Sequence, residues 1–154
     1  MIKLSEKQQG EKECDKKPTV YIHRKDWEKI CKAAEIEDEK IKAFALYCKR
    51  GKGTPYIVSE CRPIKVIEDK PGIFYYVGMV YPDKGSKERF AGTVVIRPDL
   101  DITPHYAYWM GVGDYDFTIN LRMGKDGEPE YKAYWVHRQK THGEFIEIDV
   151  HILT

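Results

Sequence analysis

The chain has 154 residues, with 26 lysines and arginines, 25 aspartates and glutamates, and a formal net charge of +1. This length predicts one domain that buries a core without disulfides or a structural metal. Hydrophobic residues make up 42% of the chain, which excludes a disordered protein. The balanced charge excludes the strongly basic field of a DNA-packaging protein, and the apolar runs are too short to span a bilayer. We therefore expect no membrane partner.

The N-terminal stretch, residues 1–17, carries nine charged residues and shows neither a helical nor a strand period. It predicts a mobile tail ahead of a single domain over 18–154. Because the stretch lacks the apolar segment of a signal peptide, we expect a cytoplasmic protein. A single asparagine beside abundant lysine and glutamate is typical of hyperthermophile proteins, so the composition favours a thermophilic source.

The first predicted elements are a short strand over 19–22 and a helix over about 24–35. Trp27, Ile30, Cys31 and Ala34 recur at the spacing i, i+3, i+4 and i+7, which gives the helix one apolar face. Residues 41–49 form an apolar run that ends at Gly51. This run suits either a helix or a buried strand, and both alternatives stay open.

Beyond residue 55 the hydrophobic period changes to two, and turn residues such as Asp126-Gly127 separate the runs. The predicted strands cover 56–61, 64–68, 73–81, 92–97, 106–110, 116–123, 131–139 and 144–153. One helical region followed by many strands predicts an α+β fold. In it, an N-terminal helical region packs on a mostly antiparallel sheet that ends in a three-stranded meander.

The register of the last hairpin follows from parity. An even-length turn over 140–143 places odd residues of the first strand opposite even residues of the second. Ala133 and Trp135 then share an apolar face with Ile146 and Ile148. Tyr134 and Phe145 fall on the opposite face, where they would form a mixed aromatic and polar contact surface.

Two Asp-x-Asp pairs are candidates for a metal site: Asp99 with Asp101, and Asp114 with Asp116. In an extended segment, carboxylates at i and i+2 point the same way and can hold a hard cation such as Mg²⁺. The four aspartates together would suit a metal-dependent hydrolase or nuclease. The alternative is that these aspartates cap turns next to strands.

The C-terminal residues His137, His142, Asp149 and His151 are less suited to bind a metal. Parity places His137 on one face of the sheet and both Asp149 and His151 on the other, so their side chains diverge.

Basic residues suggest a third function. Lys49, Arg50 and Lys52 form a short basic loop, and Lys84, Lys87 and Arg89 form a second basic stretch. Such residues contact nucleic-acid phosphates, and eleven tyrosines offer stacking surfaces for single strands. The balanced net charge speaks against this function, because nucleic-acid-binding domains are usually basic.

The order of segments over 18–82 resembles the JAMM/MPN metalloprotease-like domain. The resemblance lies in Val20-Tyr21-Ile22-His23, the helix after it, the apolar run to Gly51 and the segment Tyr76-Val77-Gly78-Met79-Val80-Tyr81. The His-x-His-Pro motif of that family is replaced by Met79-Val80-Tyr81-Pro82, and no catalytic glutamate is present. The resemblance therefore implies a metal-free, inactive relative with a binding or scaffolding role.

No serine or cysteine lies in a sequence context that would activate it as a nucleophile. We expect no cofactor. The leading interpretation is a small non-catalytic binding domain whose partner is a protein, including a second copy of the chain. A metal-dependent hydrolase and a nucleic-acid-binding module are the alternatives.

Overall fold

The computed structural model describes residues 17–36, 41–50, 55–70, 73–77, 82, 85–96, 116–138 and 143–154. These residues form one helix and nine strands. In chain order they are β1 (Thr19–His23), α1 (Arg24–Glu35), β2 (Lys42–Lys49), β3 (Tyr56–Ile57), β4 (Glu60–Lys70), β5 (Ile73–Val77), β6 (Glu88–Ile96), β7 (Phe117–Met123), β8 (Pro129–Arg138) and β9 (Gly143–Leu153). The predicted tail (except Lys17) and the predicted strand over 106–110 lie outside the described residues.

The strands form one mixed sheet in the order β3-β1-β9-β8-β7-β6-β2-β4-β5, and the predicted α+β architecture is wrong. The described residues contain a single 12-residue helix rather than a helical region. Three strand pairs are parallel, namely β1–β3, β1–β9 and β6–β7. Because alternation within a strand does not specify its neighbours, the sequence pattern could not reveal these pairs.

Residues 41–49, which suited either a helix or a strand, contain strand β2. Phe44, Leu46 and Cys48 belong to the core cluster. The residues between them, including Ala45 and Tyr47, are buried as well. A strand buried on both faces has a continuous apolar run in place of alternation, which is why the period alone did not distinguish the two structures.

The sheet curls strongly. The rings of Tyr56 on β3 and Phe117 on β7 have centroids 5.1 Å apart. These strands are four positions apart in the sheet, which would separate them by about 19 Å if it were flat. Two backbone hydrogen bonds hold the curl: the Val58 N–H donates to the Tyr21 carbonyl (2.9 Å), and the Ser59 N–H donates to the Tyr47 carbonyl (2.8 Å). The segment after β3 therefore connects β1 to β2 across the curl of the sheet.

The predicted apolar face of α1 is confirmed. Trp27 and Ile30 are buried in the core cluster, and Cys31 and Ala34 pack against it. The helix contacts β1, β2, β7 and β9, so it lies on the concave face of the curled sheet. The Trp27 ring meets the Tyr131 ring edge-on at 4.8 Å. Burying each large side chain contributes about 2–3 kcal/mol, so this face fixes the helix to the sheet.

A glycine allows the closest approach in the core. Gly92 lies opposite Phe117 in the parallel β6–β7 pair. A Cβ atom at position 92 would lie 2.5 Å from the Phe117 ring, so no larger residue fits without displacing the ring.

The register of the meander β7-β8-β9 follows the predicted parity. Ala133 pairs with Ile148 and Trp135 pairs with Ile146, and β7 pairs antiparallel with β8. The meander does not end the sheet, however, because β9 continues into the parallel pairing with β1. Tyr134, expected on an exposed contact surface, is buried, with 6% of its surface exposed. The side chain of Phe145 lies outside the described residues.

Exposed ion pairs link neighbouring strands on the surface. Arg122 and Glu130 lie opposite each other on β7 and β8, with 3.1 Å between Nη2 and Oε2. Lys132 and Glu147 form a longer pair of 3.8 Å across β8 and β9. Such exposed pairs contribute about 0.2–1 kcal/mol each, so they add little to stability beside the core.

Candidate binding site

The two basic segments singled out in the sequence meet at one end of the β2–β6 pair. Lys49 is the Cα partner of Glu88, and the Arg50 N–H donates to the Lys87 carbonyl at 2.7 Å. The Arg50 Nε also donates to the Glu88 carbonyl at 3.1 Å. Lys49, Arg50 and Lys87 are all exposed, and we call these three residues the basic end.

A pocket of about 240 Å³ lies beside the basic end, where β1 and β2 terminate and β3 begins. We call it the mouth pocket. It is lined by His23, Cys48, Lys49, Pro55, Ile57, Val58 and Ser59. Its walls are largely apolar, and Lys49 belongs both to the pocket and to the basic end. The curl of the sheet creates this pocket, because it brings β3 close to β2.

The carboxylate nearest to the basic end is already bound. The Ser59 hydroxyl contacts the Glu88 carboxylate and lies 3.0 Å from the Tyr47 carbonyl. The Glu88 N–H donates to the Ser86 hydroxyl at 3.1 Å. The Ser86 hydroxyl thus fixes the backbone at the start of β6. The Glu88 carboxylate offsets part of the positive charge of the basic end.

The cysteine thiols are unsuited to nucleophilic chemistry. Burial raises the pKa of the Cys48 thiol to about 11 and that of the Cys61 thiol to about 12. Burial, with nearby Glu35, also raises the pKa of Cys31. These thiols therefore stay protonated near neutral pH, and a protonated thiol is a poor nucleophile. Cys48 contributes an apolar wall to the mouth pocket.

Two residues from different predicted sites, Arg89 and Asp116, form an ion pair with each other. Arg89 Nη2 lies 3.1 Å from Asp116 Oδ2, and both side chains are partly buried. The Tyr56 hydroxyl donates to the Asp116 carboxylate and accepts a hydrogen bond from the Trp135 indole. Burial and the negative charge of Asp116 raise the Tyr56 pKa. The charges of Arg89 and Asp116 are therefore paired with each other.

The structure places only part of the predicted metal site. Asp116 is in the ion pair with Arg89, and Asp99, Asp101 and Asp114 lie outside the described residues. Among the described residues, no three His, Cys, Asp or Glu side chains come together as a metal site. On the neighbouring strands β1 and β9, the His151 ring stacks on the Tyr21 ring, with centroids 5.5 Å apart. The side chain of His137 and the residue His142 lie outside the described part.

Of the predicted nucleic-acid contacts, Lys49, Arg50 and Lys87 are brought together, while Arg89 turns to Asp116. Lys52 and Lys84 lie outside the described residues. The mouth pocket is also lined by His23, Ile57 and Ser59, which were not predicted as site residues. No local signal marks them, because they meet only through the β1–β3 pairing and the curl.

The comparisons with known proteins support the fold alone. No known protein family matches the chain, and no curated protein matches it in sequence. The chain is similar in structure to protein DSY2949 from Desulfitobacterium hafniense, whose solution structure was determined as a structural-genomics target. The TM-score is 0.60 at 12% identity, and the match covers 86% of this chain and 92% of that protein.

No helix among the residues that the structure describes has the length and apolar character needed to cross a membrane.

Proposed function

We propose that the protein is a small, non-catalytic binding domain of the cytoplasm that holds an acidic segment of a partner protein at its basic end. The observation that carries this proposal is the convergence of Lys49, Arg50 and Lys87 beside an open pocket. Exposed cations that come together from distant segments create a local positive field, even when the net charge is only +1. Such a field attracts carboxylates and speeds association with an acidic partner.

An acidic protein segment suits this surface better than nucleic acid does. Sequence-tolerant binding of single strands uses aromatic side chains on which bases stack. Among the described residues that line the mouth pocket, none is a tyrosine, tryptophan or phenylalanine, and His23 supplies the one aromatic ring. Glu88, next to the basic end, would repel a continuous line of phosphates more strongly than isolated carboxylates.

The metal-dependent hydrolase receives less support. Asp116, one of its four aspartates, already binds the Arg89 guanidinium and the Tyr56 hydroxyl. The thiols next to the pocket are held protonated by burial, which speaks against covalent catalysis. A binding role is also what the resemblance to the JAMM/MPN domain implies for a chain without that family's metal ligands.

The test measures fluorescence anisotropy with a labelled decapeptide of alternating glutamate and leucine. We expect the wild-type protein to bind this peptide and the variant Lys49→Gln/Arg50→Gln to bind it up to about tenfold more weakly, since two exposed ion pairs are lost. The matched control is Lys65→Gln/Lys125→Gln, which removes two exposed lysines elsewhere on the surface and should bind like wild type.

Three outcomes would contradict the proposal. Absence of peptide binding by the wild-type protein would remove it. Tighter, strongly salt-dependent binding of a thymidine decanucleotide would favour the nucleic-acid module. A rise in melting temperature with Mg²⁺, Mn²⁺ or Zn²⁺ that disappears in Asp116→Ala would favour the hydrolase. Light scattering on the same samples tests whether the partner is a second copy, because a dimer would exceed 18.0 kDa.

A further inference from the structure

We infer that the mouth pocket receives one apolar side chain of the bound segment, while Lys49 pairs with a carboxylate next to that side chain. The recognised sequence is therefore an aspartate or glutamate beside a residue such as leucine, isoleucine or valine. This inference rests on the proposed function and adds the specificity of the same site.

The size of the pocket fits a single side chain. Its volume is about 240 Å³. Pockets for drug-sized ligands usually have about 300–1,000 Å³. The mouth pocket is smaller than that range, and Lys49 of the basic end is among the residues that line it. A side chain carried on an extended peptide can enter it without the rest of the peptide being enclosed.

The walls of the mouth pocket favour an apolar side chain. Ile57 is half exposed on β3, and Val58 is fully buried behind it. Cys48 presents a buried thiol that stays protonated near neutral pH, so it adds no charge to the wall. Covering the exposed surface of Ile57 removes apolar area from water on both partners, which is favourable.

Two polar groups beside the pocket already have hydrogen-bond acceptors, and His23 and Lys49 also line it. The Ser59 hydroxyl has one proton to donate, and both the Tyr47 carbonyl and the Glu88 carboxylate lie within hydrogen-bond reach of it. The Arg50 Nε is directed to the Glu88 carbonyl. Lys49 is exposed and lines the pocket together with the apolar residues. A carboxylate adjacent to the inserted side chain complements the Lys49 ammonium group.

The test compares two peptides that carry the same charge. One alternates glutamate with leucine, and the other alternates glutamate with serine. We expect the wild-type protein to prefer the leucine peptide by about tenfold, which is the gain from burying most of one leucine side chain. The variant Ile57→Ser should reduce this preference to below about twofold, because it removes the apolar wall.

The control is Ile67→Ser. Ile57 and Ile67 are both strand isoleucines of similar exposure, 50% and 53%, but of the two Ile57 alone lines the pocket. Ile67→Ser should keep the tenfold preference. Equal binding of both peptides by the wild-type protein would overturn the inference and leave the proposed function intact. Loss of the preference in Ile67→Ser as well as in Ile57→Ser would also overturn it. Failure of both peptides to bind would refute the proposed function itself.

Discussion

The β7–β9 meander joins strands that follow one another in the chain, whereas the mouth of the curled sheet joins segments that are far apart. In the meander, Ala133 pairs with Ile148 across a short connection. At the mouth, His23, Lys49 and Ile57 end or begin three different strands, and they meet only because β1 and β3 are parallel and the sheet curls. The first region packs an apolar face into the core, and the second is exposed and charged.

This difference separates stability from binding. Phe117, Ile119 and Leu121 of the meander are fully buried, so their packing stabilises the fold. Lys49, Arg50 and Ile57 at the mouth remain exposed, so they contribute little to folding and offer their surface to a partner. Variants of the meander core should therefore lower the free energy of unfolding, and variants of the mouth should weaken peptide binding.

The largest expected effect is that of Phe117→Ala. Phe117 is fully buried against Gly92 and Tyr56, so its removal leaves a cavity in the core. We expect a loss of about 3–5 kcal/mol in the free energy of unfolding, measured by urea denaturation. The exposed Ile67→Ala serves as the control and should change it by less than about 0.5 kcal/mol. A loss below about 1 kcal/mol in Phe117→Ala would show that the packing of this ring against Gly92 and Tyr56 does not stabilise the fold.

An intermediate effect is expected from alkaline pH, at the border between core and mouth. The Cys48 pKa rises from 9.0 to about 11 in the folded protein, and the Cys61 pKa rises to about 12. Below pH 9 both thiols are protonated in the folded and unfolded states, so their contribution is fully present. As the pH rises toward 11, the unfolded thiols ionise first and unfolding becomes more favourable.

The measurement is urea denaturation near neutral pH and at about pH 10.5. Wild type should lose roughly 2 kcal/mol more stability on going to the higher pH than Cys48→Ala does. The difference between the two proteins isolates the Cys48 thiol, because Cys61 and the lysines and tyrosines that titrate in the same range are shared. Parallel pH profiles of the two proteins would contradict this prediction, because they would show that folding does not raise the thiol pKa.

The smallest effect is expected from the mouth variants Lys49→Gln and Ile57→Ser. Both side chains are exposed, so each variant should keep the free energy of unfolding within about 0.5 kcal/mol of wild type. Thermal denaturation of the samples used for peptide binding checks this expectation. A large loss of stability would mean that the mouth, like the meander, is needed for folding.

Local patterns predicted much of the secondary structure. The stripe of Trp27, Ile30, Cys31 and Ala34 marked the helix, and Asp126-Gly127 marked the turn before β8, where Gly127 has a φ of +82°. The two basic segments were also recognised. The sequence did not predict that these two segments lie together, because this depends on the antiparallel register of β2 and β6.

The sequence by itself determined the amphipathic helix α1 and the register of the meander, because both depend on side-chain periods within a few neighbouring turns or strands. Only the tertiary structure decided the fold class and the site. The parallel pairs β1–β9 and β6–β7 join segments separated by long stretches of chain, and a period of two is the same whichever strand lies alongside. The curl that brings Tyr56 against Phe117 is a property of the whole sheet, and the mouth pocket exists only through it.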